Sequence, residues 1–225
     1  MAFSTLDAVR TGGLNTELGL TGDSDDRFGT TTQRNYALQE AIRRLWPEMA
    51  RLTRETITVT TDTLDYTLTT LREVAWLEQL DATATADKGF LRRLDNFRVW
   101  YDEEDASPVV RFTLPASLDP AIYGLRAVGY APYTVPTSSP PSSSGTLDLQ
   151  PEDEWIIVQG ARALLYRRLL NSFAVYERHE NENRKTFLTP EQLLTMSREA
   201  EGMFLAAKAS RKRRVVAGKR ATGIR

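Results

Sequence analysis

The apolar residues of this chain change period twice, which neither an all-helical nor an all-strand fold accommodates. From Thr32 onward Leu38, Ile42, Leu45, Met49 and Leu52 recur at spacings of four, three, four and three, the stripe of one helical face. Between Thr56 and Ala131 they alternate instead, and threonine, valine and aromatic residues replace leucine and alanine, as strands require. From Pro151 the helical spacing returns. The expected fold is α+β: a helical bundle with an inserted antiparallel β-rich subdomain, because the short strands follow one another with no crossover-length helix between them. At 225 residues the chain can bury a core without a disulfide or a metal.

Each segment carries its own boundary signals. A short apolar run, residues 6–9, is expected to end at Gly12 and Gly13, and a polar stretch with Asp23, Asp25 and Asp26 precedes the N-cap candidates Thr30, Thr31 and Thr32. Pro47 lacks a backbone donor and predicts a kink or restart of the helix. In the β part, Ile57 and Val59, then Leu64, Tyr66 and Leu68, predict a tight hairpin near Asp62, and Val74 and Trp76 begin a further strand. Phe97, Val99 and Tyr101 are expected to pair with Val110, Phe112 and Leu114 across an acidic turn, and a last strand to run from Tyr123 to Tyr130. Residues 134–146, almost all Ser, Pro, Thr and Gly, predict an exposed loop.

At Pro151 a helix starts with Glu152, Asp153 and Glu154 in its first turn. Its stripe of Trp155, Val158, Ala161, Leu165, Leu169, Phe173 and Tyr176, widened by Ile157, Leu164 and Leu170, predicts a central helix contacted on more than one side. Thr189-Pro190-Glu191-Gln192 is a capping box opening a last helix, along which Leu193, Met196, Ala200, Met203 and Ala207 repeat. The expected parts are N-terminal helices in 1–55, a β-rich insert in 56–133, a loop in 134–146, helices in 147–210 that pack with the N-terminal ones, and a basic arm in 211–225.

The formal net charge of −1 hides a strong asymmetry. The last 18 residues contain Lys208, Arg211, Lys212, Arg213, Arg214, Lys219, Arg220 and Arg225 and no acid; removing these eight from the 29 basic residues leaves 21 against 30 acidic ones, a formal −9 for residues 1–207. An acidic body thus ends in a basic arm. Such an arm is expected to be disordered or extended and to seek an acidic partner: nucleic acid, an acidic protein surface, or a neighbouring copy.

A search for chemistry finds little. With no cysteine there is no thiolate metal site, cluster or cysteine nucleophile, and the lone histidine, His179, lies in the polar run Tyr176-Glu177-Arg178-His179-Glu180-Asn181-Glu182, where an exposed role fits better than a catalytic one. No phosphate-binding glycine loop occurs, and Asp102, Glu103, Glu104 and Asp105 lack the spacing and glycine of a calcium loop, so they read as a solvated hairpin tip. No apolar run approaches the roughly 20 residues that span a bilayer, and the N-terminus lacks a basic region followed by an apolar one. The expectation is a protein that stays in the cytoplasm where it is made, with no catalytic residues, no metal and no cofactor.

Three stretches are similar to segments of the head-to-tail adaptor, or connector, proteins of tailed bacteriophages. Leu20-Thr21-Gly22-Asp23 followed by Thr30-Thr31-Thr32-Gln33-Arg34-Asn35-Tyr36-Ala37-Leu38-Gln39-Glu40-Ala41-Ile42 and Leu45-Trp46-Pro47 resembles their first helix. Ile57-Thr58-Val59-Thr60 with Asp65-Tyr66-Thr67-Leu68 resembles the hairpin that opens their β insert, and Leu147-Asp148-Leu149-Gln150-Pro151 leading into Trp155 resembles the return to the helical part. The Ser- and Pro-rich loop is a departure from that pattern.

The resemblance implies a non-enzymatic structural protein of the virion, assembled in the host cytoplasm and seated at the head–tail junction. Its partners would be neighbouring copies in a ring, dodecameric by the resemblance, the portal protein, the next tail or stopper protein, and DNA passing through the channel, with no membrane. A ring needs a heterologous interface, for which the apolar surface around Trp155, Ile157 and Leu164 is the candidate. Residues 208–225 would grip the portal. The alternative is a nucleic-acid-binding protein whose arm contacts phosphates directly.

Overall fold

Two capping boxes start the two long outer helices. The computed structural model describes residues 5–58, 65–81, 90–94, 97–101, 108–112, 123–136, 147–172 and 188–211. Helix α3 (Thr31–Arg43) opens at Thr30, whose Oγ1 accepts from Gln33 N while Thr30 N donates to Gln33 Oε1. The last helix, α5 (Pro190–Ser210), opens the same way at Thr189 and Gln192, as its sequence predicts. Between them in the chain lies α4 (Glu154–Asn171), entered through a 3₁₀ turn at Pro151–Asp153. Ahead of all three is a helical segment made of α1 (Leu6–Ala8), a π-helical stretch (Val9–Leu14) and α2 (Asn15–Glu17).

The chain divides into two units, one formed by Met1–Met49 with Tyr133–Arg213 and one that includes Ala50–Pro132. In the first, α4 packs against α5, α3 and the π-helical stretch. Gly160 marks the closest approach, because a Cβ there would lie 2.9 Å from Phe204 Cδ2 on α5 and 3.0 Å from Ala41 Cβ on α3. Phe204, Leu38, Leu45, Ile156, Ile157 and Tyr166 fill the core around that crossing. Ser197 Oγ donates to Ala163 O at 3.1 Å and adds a buried link between α5 and α4.

Several expectations shift here. The first helical segment does not stop at Gly12 and Gly13 but runs on to Glu17, since Leu6, Val9, Arg10 and Leu14 form one buried face and packing overrides the poor propensity of glycine. Helix α3 ends at Arg43 rather than kinking at Pro47; Leu45 and Met49 remain buried in the following turns, while Leu52 leaves the stripe, enters a strand and is 56% exposed. On α5 the buried position is Phe204, with Met203 53% exposed.

The second unit holds two antiparallel sheets. One has four strands in the order β1 (Arg51–Ile57), β7 (Tyr123–Ala131), β3 (Glu73–Asp81) and β4 (Phe90–Leu94); the other has the order β2 (Asp65–Thr67), β6 (Pro108–Phe112) and β5 (Phe97–Tyr101). The pairing of Phe97 with Phe112 and Val99 with Val110 is as expected. The hairpin near Asp62 is not: β1 pairs with β7, β2 pairs with β6, and the two belong to different sheets. Both partners lie far along the chain, beyond what a local alternation encodes. Ile57, Leu77, Leu125 and Ala127 face inward with Leu68 and Leu71. The Glu55 carboxylate fixes the turn after β2, accepting from Thr69 N, Thr69 Oγ1, Thr70 N and Leu71 N at 2.8–3.0 Å. The acidic turn 102–105, Val59, Leu64 and Leu114, residues 137–146 of the expected 134–146 loop, Phe173 and Tyr176, and His179 lie outside the described residues, and in the described start of that loop Thr134 is exposed as expected but Pro136 is buried, its carbonyl accepting from Gln39 Nε2 at 2.7 Å.

A polar cluster ties the first helical segment to α3. Arg10 donates to both oxygens of Asp23, at 3.1 and 2.8 Å, and to Asn35 Oδ1 at 2.9 Å, and also pairs with Asp7. Arg34, fully buried, donates to the carbonyls of Asp23, Asp25 and Gly29 at 2.6–2.9 Å. Hydrogen bonds from Arg10, working against burial, with help from Asn15 and Arg34, hold the Asp23 carboxyl below the usual carboxylate range, and Arg27 does the same for Asp25. The unfolded chain therefore takes up protons more readily than the folded one in acid. Thermal stability should be level between about pH 5 and 7 and should fall below about pH 4, where unfolded carboxyls titrate. Asp23→Asn should lower the neutral-pH midpoint and flatten the acid decline, and an unchanged acid slope in that variant would remove Asp23 from the account.

Candidate functional site

Two of the basic residues expected in the arm, Lys208 and Arg211, are fixed at the end of α5. Lys208 is not part of a free arm: it lies within α5, on the buried side one turn beyond Phe204, and its Nζ donates to Arg44 O at 2.7 Å and lies 2.9 Å from Glu48 Oε2. Arg44 sits over the Phe204 ring with its guanidinium 4.9 Å from the centroid and pairs with Glu201, and Lys208 Nζ lies 5.7 Å from the same centroid. Arg211, at the C-cap of α5, places Nε 2.9 Å from Asp153 Oδ1 at the start of α4. Burial, only partly offset by Arg211, keeps the Asp153 carboxyl above its ordinary range. Lys208 and Arg211 thus clamp the end of α5 to the ends of its neighbours, and Lys212, Arg213, Arg214, Lys219, Arg220 and Arg225 lie outside the described residues.

The three residues expected at a subunit interface separate. Trp155 is 48% exposed at the start of α4, Leu164 is half-buried against the core, and Ile157 is fully buried inside it. Ile157 is therefore corrected from interface to core: the helix is contacted on more than one side by its own chain, and that contact consumes the widened stripe.

A different surface in the β unit gathers the residue types that interfaces use. Opposite partners in an antiparallel sheet share a face, so the outer face of the four-stranded sheet has three rungs: Leu52, Tyr130 and Glu73; Arg54, Val128 and Trp76; and Thr56, Arg126, Glu78 and Arg93. Leu52, Arg54 and Arg93 are exposed, and Trp76 and Tyr130 are half-buried. Trp76 Nε1 donates to Glu78 Oε1 at 2.9 Å, Arg126 Nε donates to Glu78 Oε2 at 2.8 Å, and the Arg93 guanidinium lies 5.1 Å from the Trp76 ring centroid. Burial pushes the Glu78 carboxyl up, but the bonds from Trp76 and Arg126 and the charges of Arg126 and Arg54 outweigh it and hold it low.

Trp76 reaches that face because of a β-bulge. Val74 pairs with Gly129 on the inner face and Trp76 with Val128 on the outer one, with Ala75 as the extra residue between them. Plain alternation puts Val74 and Trp76 on one face, as the sequence suggests; the bulge separates them. The bulged backbone presses on Gly129, where a Cβ would lie 1.9 Å from Glu73 O. The signal that sequence reasoning passed over is that glycine, inside a strand and opposite Val74.

Among the described residues no group of three or more His, Cys, Asp or Glu is placed to hold a metal, and no described helix is long and apolar enough to cross a membrane. No protein-family model matches the chain, and no curated protein matches it.

Gly129→Ala should disrupt the β3–β7 pairing, since the clash is with backbone and cannot be relieved by a rotamer change. The expected loss is about 3 kcal/mol or more, read as accelerated hydrogen exchange in β3 and β7 and a lowered denaturation midpoint. Wild-type exchange in that variant would contradict the geometry.

Proposed function

We propose that this chain is a structural head-to-tail adaptor of a tailed-phage virion, a ring-forming protein between portal and tail that surrounds the DNA channel and carries out no catalysis. The observation that carries the reading is the discontinuity of the helical unit: Met1–Met49 and Tyr133–Arg213 fold together although a complete two-sheet unit is inserted between them. That is the order of parts the adaptor resemblance implies, a helical bundle with an antiparallel β insert and a basic C-terminal arm. The acidic character of residues 1–207 supports it further, because a negatively charged body around a channel repels DNA and lets it slide.

The arm's role in this reading is attachment to the portal. Lys208 and Arg211 act as its root, and residues 212–225 supply Lys212, Arg213, Arg214, Lys219, Arg220 and Arg225 for an acidic portal surface. The segment has only Val215, Val216 and Ile224 as large apolar residues, so it contributes little core. Truncation after Arg211 should leave thermal stability within about 0.5 kcal/mol of wild type and abolish co-sedimentation with portal particles. Truncated protein that joins portals as the intact chain does would refute the docking role. Loss of a steeply salt-dependent affinity for duplex DNA, with portal attachment intact, would instead favour the nucleic-acid-binding reading.

A further inference from the structure

Asp153 stands where an aspartate ordinarily caps its own helix, and it does not do so. It immediately precedes α4, yet no backbone N–H of that helix donates to its side chain. It closes the 3₁₀ turn with φ −102° and ψ −3°, not the extended backbone that such capping uses. Its buried carboxylate is directed instead to the far end of another helix. Oδ1 lies 2.9 Å from Nε of Arg211, the C-cap of α5, as an ion pair out of hydrogen-bond alignment.

The surroundings of this carboxylate do little for its charge. Glu152, on the same turn, adds a like charge. Tyr133 brings no cation, and burial together with the charges of Asp153 and Asp148 keeps its hydroxyl protonated. From α5 comes Arg211, the one cation paired with Asp153 among the described residues, and its side chain is 49% exposed and so screened by solvent. Burial outweighs that pairing, and the carboxyl takes up a proton more readily than an ordinary one.

We propose that the Asp153–Arg211 pair is a proton-operated latch on the last turn of α5, closed while the carboxylate is charged and open once it is neutral, with the fold kept in both states. Opening is confined to that turn. Lys208 Nζ donates to a carbonyl, Arg44 O, which no proton alters, and Phe204 and Ala207 are buried, so α5 stays anchored up to those residues. The helix end beyond them is held by the bond from Arg211 N to Ala207 O and by the contact of the Arg211 side chain with Asp153.

The sign of the effect separates this pair from Asp23. Folding raises the proton affinity of Asp153, so its neutral form favours the folded state, and its contribution to stability is present in acid and lost as pH rises. Folding lowers the proton affinity of Asp23, whose contribution is lost in acid. The latch therefore opens as pH falls, before the acid decline that Asp23 governs. By linkage, proton uptake at Asp153 and capture of Arg211 by an acidic group favour each other.

The test is hydrogen exchange of the full-length protein from about pH 4.5 to about pH 8, corrected for intrinsic rates, in peptides spanning 205–211. Asp153→Asn and Arg211→Gln are the separate variants. Wild-type protection of the last turn should drop about two- to fivefold as pH falls, the contribution of one partly exposed ion pair. The midpoint should lie above about pH 4, the ordinary aspartate range, while α3, α4 and the earlier turns of α5 keep their protection. Each variant should show the lower protection at every pH, and Arg211→Gln, at a half-exposed side chain, keeps the fold even if Asp153→Asn disturbs the start of α4. Flat wild-type protection across the range, or an unchanged drop in either folded variant, would overturn the latch. A loss of protection along α4 and α5 together would make the response global acid unfolding and overturn it as well.

Discussion

The approach of three helices at Gly160 is the contact on which the helical unit depends. Because the β unit interrupts that unit, its N-terminal and C-terminal parts share no local chain and must find each other through packing alone. Gly160 removes the side chain that would hold α4 away from Ala41 on α3 and Phe204 on α5, and the Phe204 ring fills the space. Burying such a ring contributes about 3 kcal/mol, and it is capped on its polar side by Arg44 and Lys208. The same aromatic that closes the core thus positions the last turn of α5.

What was legible in the sequence was local. Thr189 with Gln192 and the pairing of β5 with β6 follow from residues a few positions apart. What was not legible was set by distant neighbours. The spacing from Leu193 to Ala207 admits either Met203 or Phe204 on the buried side, and only the opposing Gly160 decides between them. Lys208 counts as an arm residue by charge, yet it stands four residues after Phe204 and falls on the same buried side. Arg10 and Arg34 were equally readable in principle, as charged residues inside apolar helical faces with Asp23, Asp25 and Asp26 between them in the chain. Ile157 shows the converse error: a helix apolar on many sides is as well explained by neighbours within the chain as by a second copy.

The bulge at Ala75 connects fold to surface in the second unit. By adding one residue to β3 it lets Val74 and Leu77 both face the core while Trp76 turns outward beside Arg93 and Glu78. Gly129 is the condition for that bulge, so a residue without a side chain determines where a tryptophan points.

Electron microscopy of the purified full-length protein mixed with portal particles addresses the central claim most directly. The account predicts closed rings seated coaxially on the portal with an open central channel. Unringed monomers, or open filaments with nothing bound to the portal, would contradict it.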